Sequence, residues 1–123
     1  MSKTFELRKI IKQILDMTIG KTYYELASDT AVFPYKVYSF ENIDLGDVER
    51  DDLILLVDIW GKDDVSEVEF LTDEIENIFN NLNSPSATSL PTFYRISRKP
   101  IPDEDKSIKH RQLKFQIQNY YIG

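Results

Sequence analysis

Cysteine is absent from the chain, which excludes disulfides, thiolate nucleophiles and cysteine-ligated zinc or iron–sulfur centres and is compatible with a reducing compartment. Histidine occurs once, as His110, so a hydrolytic triad has a single candidate base. It lies among Lys109, Arg111 and Lys114, with no serine at a motif-like spacing. Gly20, Gly46, Gly61 and Gly123 are the only glycines and stand far apart, so no glycine-rich loop can cradle a phosphate and no cofactor is expected. Long apolar runs are missing too. Nothing approaches the length that crosses a bilayer, and the start (Met1, Ser2, Lys3, Thr4, Phe5, Glu6) lacks the basic-then-apolar layout of a secretion signal; synthesis in the cytosol is expected.

What remains is the composition of a chain that folds. Hydrophobic residues make up 41% and charged residues 29%, and 123 residues suffice for one core without metal or disulfide staples. The net charge of −6 is spread unevenly: residues 1–40 hold six basic and four acidic side chains, residues 41–76 two and fourteen, residues 77–123 seven and three. Charges so placed can simply solvate exposed faces. They can also make the surface self-complementary, an acidic patch on one copy meeting a basic patch on the next in a ring or filament.

Apolar residues at Leu7, Ile10, Ile11, Ile14 and Met17 follow helical spacing, with Gly20 as the stop. After a polar connection holding Tyr23 and Tyr24, residues 31–40 are aromatic and β-branched, as a strand requires; Pro34 lacks an amide donor, so this strand starts there or lies at an edge. Residues 53–60 are apolar on both alternating faces, which predicts a central strand. Asp64 and Glu67 have capping-box spacing before a helical stripe of Val68, Leu71, Ile75, Ile78, Phe79 and Leu82. Residues 83–91 read as a surface loop. A hairpin of residues 92–99 and 108–121 ends the chain, with Leu113, Phe115, Ile117 and Tyr121 alternating against Gln112, Lys114, Gln116 and Gln118. The expectation is one α+β domain, residues 1–123, of order α-β-β-α-β-β, with two helices on one face of a mainly antiparallel sheet.

Three chemistries deserve weighing. Asp51, Asp52, Asp58, Asp63 and Asp64 are numerous enough to suggest a magnesium-dependent hydrolase, but adjacent strand residues point to opposite faces and Asp63 and Asp64 suit the start of a helix, so no metal site is expected. Asp58 interrupts an apolar run and needs a hydrogen-bond partner, for which Tyr38, Arg95 or a neighbouring subunit are candidates. The hairpin cations (Arg95, Arg98, Lys99, Lys106, Lys109, Arg111, Lys114), near Phe93, Tyr94 and Phe115, offer a nucleic-acid-binding alternative. A sequence pI near 4.7 and the acidic turn at Asp103, Glu104 and Asp105 count against it.

The order of helix, aromatic strand (Phe33, Pro34, Tyr35, then Val37, Tyr38, Phe40), charged loop, apolar strand ending in Asp58, Ile59 and Trp60, acidic helix, and hairpin with Asp103, Asp105, His110 and Arg111 resembles a known group. That group is the small tail-completion proteins of long-tailed bacteriophages and prophages, tail-terminator and tail-to-head joining proteins among them. The resemblance covers nearly the whole chain. It implies a structural virion component rather than an enzyme, without catalytic residues, commonly a hexameric ring that caps the tail tube and meets the capsid connector. Its partners would be other copies of itself, the tail-tube protein and the connector proteins. Loops and edge strands would make the contacts, here residues 41–52, 83–91 and 100–109. The candidate interface residues are Glu41, Asp44, Asp47, Glu49, Asp51 and Asp52 on the acidic side, and Arg95, Arg98, Lys99, Lys106, Lys109 and Arg111 on the basic side.

Overall fold

The computed structural model describes residues 5–43, 50–80, 82 and 89–121. In chain order these form α1 (Phe5–Leu15), β1 (Lys21–Tyr24), β2 (Tyr35–Ile43), β3 (Arg50–Lys62), α2 (Val65–Phe79), β4 (Ser89–Pro100) and β5 (Ile108–Tyr121). The strands lie in one sheet of order β1-β2-β3-β5-β4. Only the β1–β2 pairing is parallel; the rest of the ladder is antiparallel. The α+β class and mainly antiparallel sheet are as expected, with one strand more. The polar connection holding Tyr23 and Tyr24 contains β1, four residues long and therefore too short to show alternation.

Alternation along β3 divides the molecule. Leu53, Leu55, Val57 and Ile59 are buried and meet Leu113, Phe115 and Ile117 of β5, Phe93 of β4 and Tyr38 of β2. Onto this face pack Leu7, Ile11 and Leu15 of α1 and Val68, Leu71, Ile75 and Phe79 of α2, so both helices share one side of the sheet and one core. Burying each such side chain contributes about 1.5–3 kcal/mol. β3 ends close against α2: a Cβ on the buried Gly61 would run into Cγ2 of Val68, so this approach needs glycine.

The helix α1 stops earlier than its stripe suggests. Its last buried position is Leu15, and Met17 is 76% exposed. The chain turns here because the end of α1 is capped from outside. Thr18 Oγ1 donates to the Leu15 carbonyl at 2.7 Å, and the fully buried Lys36 sends its ammonium into the same turn. Lys36 Nζ donates to the carbonyls of Leu15 (2.8 Å), Ile19 (3.0 Å) and Gly20 (2.9 Å) and to Thr18 Oγ1 (2.8 Å). A cation at the negative end of a helix, donating to the carbonyls of Ile19 and Gly20 and adding to the Thr18 bonds on that of Leu15, offsets part of the cost of its burial.

At the start of α2, Asp64 Oδ1 accepts from the amides of Ser66 (2.9 Å) and Glu67 (3.3 Å), which is the predicted N-cap. The reciprocal half of a capping box is not made, since the Asp64 amide donates to the Lys62 carbonyl instead. Asp64→Ala is therefore expected to lose about 1 kcal/mol in chemical unfolding, and a change near zero would show the cap to be inconsequential.

Strand β2 begins directly after Pro34, as predicted, but lies inside the sheet because β1 covers its edge. Pro91 sits in β4, which is an edge strand, where the missing amide is tolerated. Residues 41–43 and 50–52, expected in a loop, extend β2 and β3; residues 89–91 belong to β4. Between Arg95 and Ser97 the β4–β5 register slips by one residue, leaving Ile96 as the extra residue of a bulge. The slip turns Arg98 to the helix side, opposite Leu113, where simple alternation from Phe93 would have sent it to the other face.

Candidate functional site

The bulge brings basic β4 and β5 against acidic α2. Arg98 bridges Asp73 (Nη1–Oδ1 2.5 Å), Glu69 (Nη2–Oε2 2.8 Å) and Glu76 (Nη1–Oε2 3.3 Å). Arg111 Nε donates to Glu69 Oε1 at 2.5 Å, and Arg95 lies 3.7 Å from Glu76. Three arginines from the basic third of the chain thus neutralise carboxylates of the acidic middle within one molecule. Linked charges of this kind contribute more than isolated surface pairs. The Arg111 hydrogen bond, aided by Arg98, holds the Glu69 carboxyl below its ordinary 4.5. Because its folded value is the lower one, its stabilisation is present above about pH 4.5 and lost as pH falls through the folded value. Glu69→Gln should lower the unfolding midpoint at neutral pH and flatten its decline as pH falls below about 4.5. An unchanged acid limb would contradict the role given to Glu69.

Among the described residues, the other face of the sheet carries no helix. Its rows follow from the register. Tyr35 of β2, Trp60 of β3 and His110 of β5 form one row; Val37, Asp58 and Gln112 form the next, with Tyr23 of β1 and Lys99 of β4 at its ends. Then come Ser39, Leu56 and Lys114, and after them Glu41, Ile54 and Gln116. On the β2–β3 half of this face the half-buried Tyr35, Val37, Ile54, Leu56 and Trp60 are interspersed with Ser39, Glu41 and Asp58, while the β5 half carries His110, Gln112, Lys114 and Gln116. This explains why residues 53–60 are apolar on both faces: one side meets the helices, the other does not.

The Trp60 row is well ordered. The Trp60 and His110 rings stack at 3.6 Å between centroids and 20° between planes, and Tyr35 lies near-parallel to Trp60 at 6.1 Å. His110 Nε2 is 2.7 Å from Asp58 Oδ1; since an ionised carboxylate only accepts, the imidazole carries the proton on Nε2 and donates. Gln112 Nε2 donates to the same oxygen at 3.2 Å. The partners of Asp58 are thus His110 and Gln112, not Tyr38, whose hydroxyl donates to the Arg8 carbonyl, nor Arg95, which faces Glu76. An Asp–His pair invites comparison with a triad, and Ser28 lines the same depression. Its hydroxyl is engaged with Thr30, however, and no described hydrogen bond joins it to His110.

The structure distributes the expected interface residues in three ways. Arg95, Arg98 and Arg111 are committed to α2, and Asp52 is buried, accepting from Gln116 at 2.7 Å. Glu41, Lys99 and Lys106 are exposed, while Lys109 donates to the Lys106 carbonyl at 2.8 Å. Asp44, Asp47 and Glu49, and residues 83–88 of the expected loop, lie outside the described residues, as does the side chain of Asp51. Phe93 and Phe115, proposed stacking platforms for bases, are fully buried in the core. Among the described residues no three His, Asp or Glu side chains cluster as metal ligands, and no helix is long and apolar enough to cross a membrane. The open-face row of Tyr35, Trp60 and His110 was not anticipated. Its sequence signal was weak, because the three residues come from three separate strands.

Neither protein-family models nor curated proteins match this sequence.

Proposed function

We propose that the protein is a structural assembly subunit whose open sheet face docks on other protein subunits, and that it acts as a tail-completion protein of a long-tailed phage or prophage. One observation carries the assembly reading: a five-stranded sheet with both helices on one side and half-buried apolar side chains, Trp60 among them, on the other. Tyr35, Val37, Ile54, Leu56 and Trp60 lie there among Ser39, Glu41 and Asp58, and half-exposed apolar side chains on one face support a protein contact. The tail-completion reading rests on the resemblance in element order and aromatic pattern. In both, the protein works by shape and burial in a ring of copies between tube and connector.

Fewer cations face outward than the sequence suggests. With three arginines paired to α2, the basic side left for a neighbour is chiefly Lys99, Lys106 and Lys114. Association on the open face is therefore driven by apolar burial, with lysines setting orientation at the rim. Co-expression with the tail-tube and connector proteins of the same phage, followed by native mass spectrometry and electron microscopy, tests the reading. Rings on tube ends are expected. A strict monomer that joins neither partner overturns it.

A further inference from the structure

Beside the Trp60 row, under the turn that follows β1, the open face sinks into a cavity of about 420 Å³. Its walls are apolar, formed by Leu26, Val37, Tyr35 and Trp60. Its carboxylates are Glu25 and Asp58, and no lysine or arginine lines it. Asp58 is held in place by His110 and Gln112, both of which donate to Oδ1, while Oδ2 receives no hydrogen bond from a described residue. His110 is itself pinned against the Trp60 ring. The result is a fixed, partly buried carboxylate lining a cavity with aromatic and aliphatic walls.

We propose that this cavity takes a basic side chain, arginine in preference to lysine, from a second protein docking on the open face. Charge complementarity selects the occupant: an anion meets two carboxylates, and a neutral group leaves Asp58 uncompensated. A guanidinium answers each feature. Its N–H groups reach Oδ2 of Asp58, and its methylene stem rests on Leu26 and Val37. Because the donors to Oδ1 are already set, little ordering is needed on binding. Leu26, 82% exposed at the mouth, gives the incoming segment an apolar contact. The site requires only that a protein docks here and stands whether or not copies close into a ring.

Trp60 is the only tryptophan, so its signals report on this cavity directly. N-acetylarginine amide, N-acetyllysine amide and the uncharged N-acetylcitrulline amide would each be titrated into the full chain, following Trp60 fluorescence and its indole N–H resonance. A saturable response to the arginine probe is expected, weaker for lysine, and weaker by roughly tenfold or more for citrulline. Asp58→Asn should abolish the arginine response. No saturable response in the wild type, equal responses to arginine and citrulline, or a response retained in a folded Asp58→Asn protein would each overturn the proposal. A lysine probe that binds as well as arginine would overturn the stated preference. Should Asp58→Asn not fold, the wild-type comparison of arginine with citrulline decides alone.

Discussion

Lys36→Met should destabilise the protein by about 3 kcal/mol at neutral pH, measured by chemical unfolding. Methionine fills much of the space of the lysine stem but donates nothing. The buried Thr18 Oγ1 and the part-buried carbonyls of Ile19 and Gly20 would lose their shared donor, while the Leu15 carbonyl keeps its bonds from the Thr18 amide and hydroxyl. Leaving buried acceptors unpaired costs more than the net value of the bonds removed, because water does not replace the donor. A loss under about 1 kcal/mol would show that the turn relaxes or hydrates freely.

The same residue gives a pH signature. Burial lowers the Lys36 ammonium from 10.5 to about 8, while Asp16 and Glu74 pull the other way. The folded protein then releases near pH 8 a proton that the unfolded chain keeps until about 10.5. With the folded value depressed, the linked stability is fully present above about 10.5 and is lost as pH falls through about 8. Between those limits the wild type should gain stability relative to Lys36→Met as pH rises. A constant difference would mean that the ammonium titrates alike in both states.

Gly20→Ala is the second large effect, roughly 3 kcal/mol, from two causes acting together. Gly20 has φ of +86°, which an L side chain adopts at a cost, and a Cβ there would run into the carbonyl oxygen of Pro34. The obstacle is backbone, and the Gly20 carbonyl is itself held by Lys36, so the turn cannot shift without breaking its own cap. Gly61→Ala offers the control. There the clash is with the Val68 side chain and φ is not positive, so the loss should be smaller. The reverse ranking in thermal unfolding would contradict this account of the turn.

The parts of the fold legible in the sequence are those whose periodicity is long and unbroken. The alternation through Leu113, Phe115 and Ile117 placed β5 at residues 108–121, and the α2 stripe with its Asp64 cap placed that helix closely. What escaped depended on tertiary events. The bulge at Ile96 reverses which side of β4 Arg98 presents, and with it the fate of the whole basic patch. His110 and Asp58 stand 52 positions apart and meet only because β3 and β5 pair in this register. Lys36 had a usable signal, since it shares strand parity with Tyr38 and Phe40 and so belongs to the core side. A lysine in that position implies a dedicated set of acceptors. The doubly apolar pattern of residues 53–60 was read as a central strand, which β3 is. Its second implication, a face without a described helix, appears only once both helices are seen on one side.

The most direct measurement of the central claim compares the wild type with Leu56→Glu, a carboxylate placed in the middle of the open face and away from the core. Native mass spectrometry of each, alone and co-expressed with the tail-tube protein, would be read beside thermal unfolding of the isolated chains. The expected result is assembly by the wild type, with Leu56→Glu folded at a similar midpoint but monomeric in every mixture. Assembly of Leu56→Glu indistinguishable from wild type, or a wild type that never leaves the monomer, would contradict the claim that this face is where the protein meets its partners.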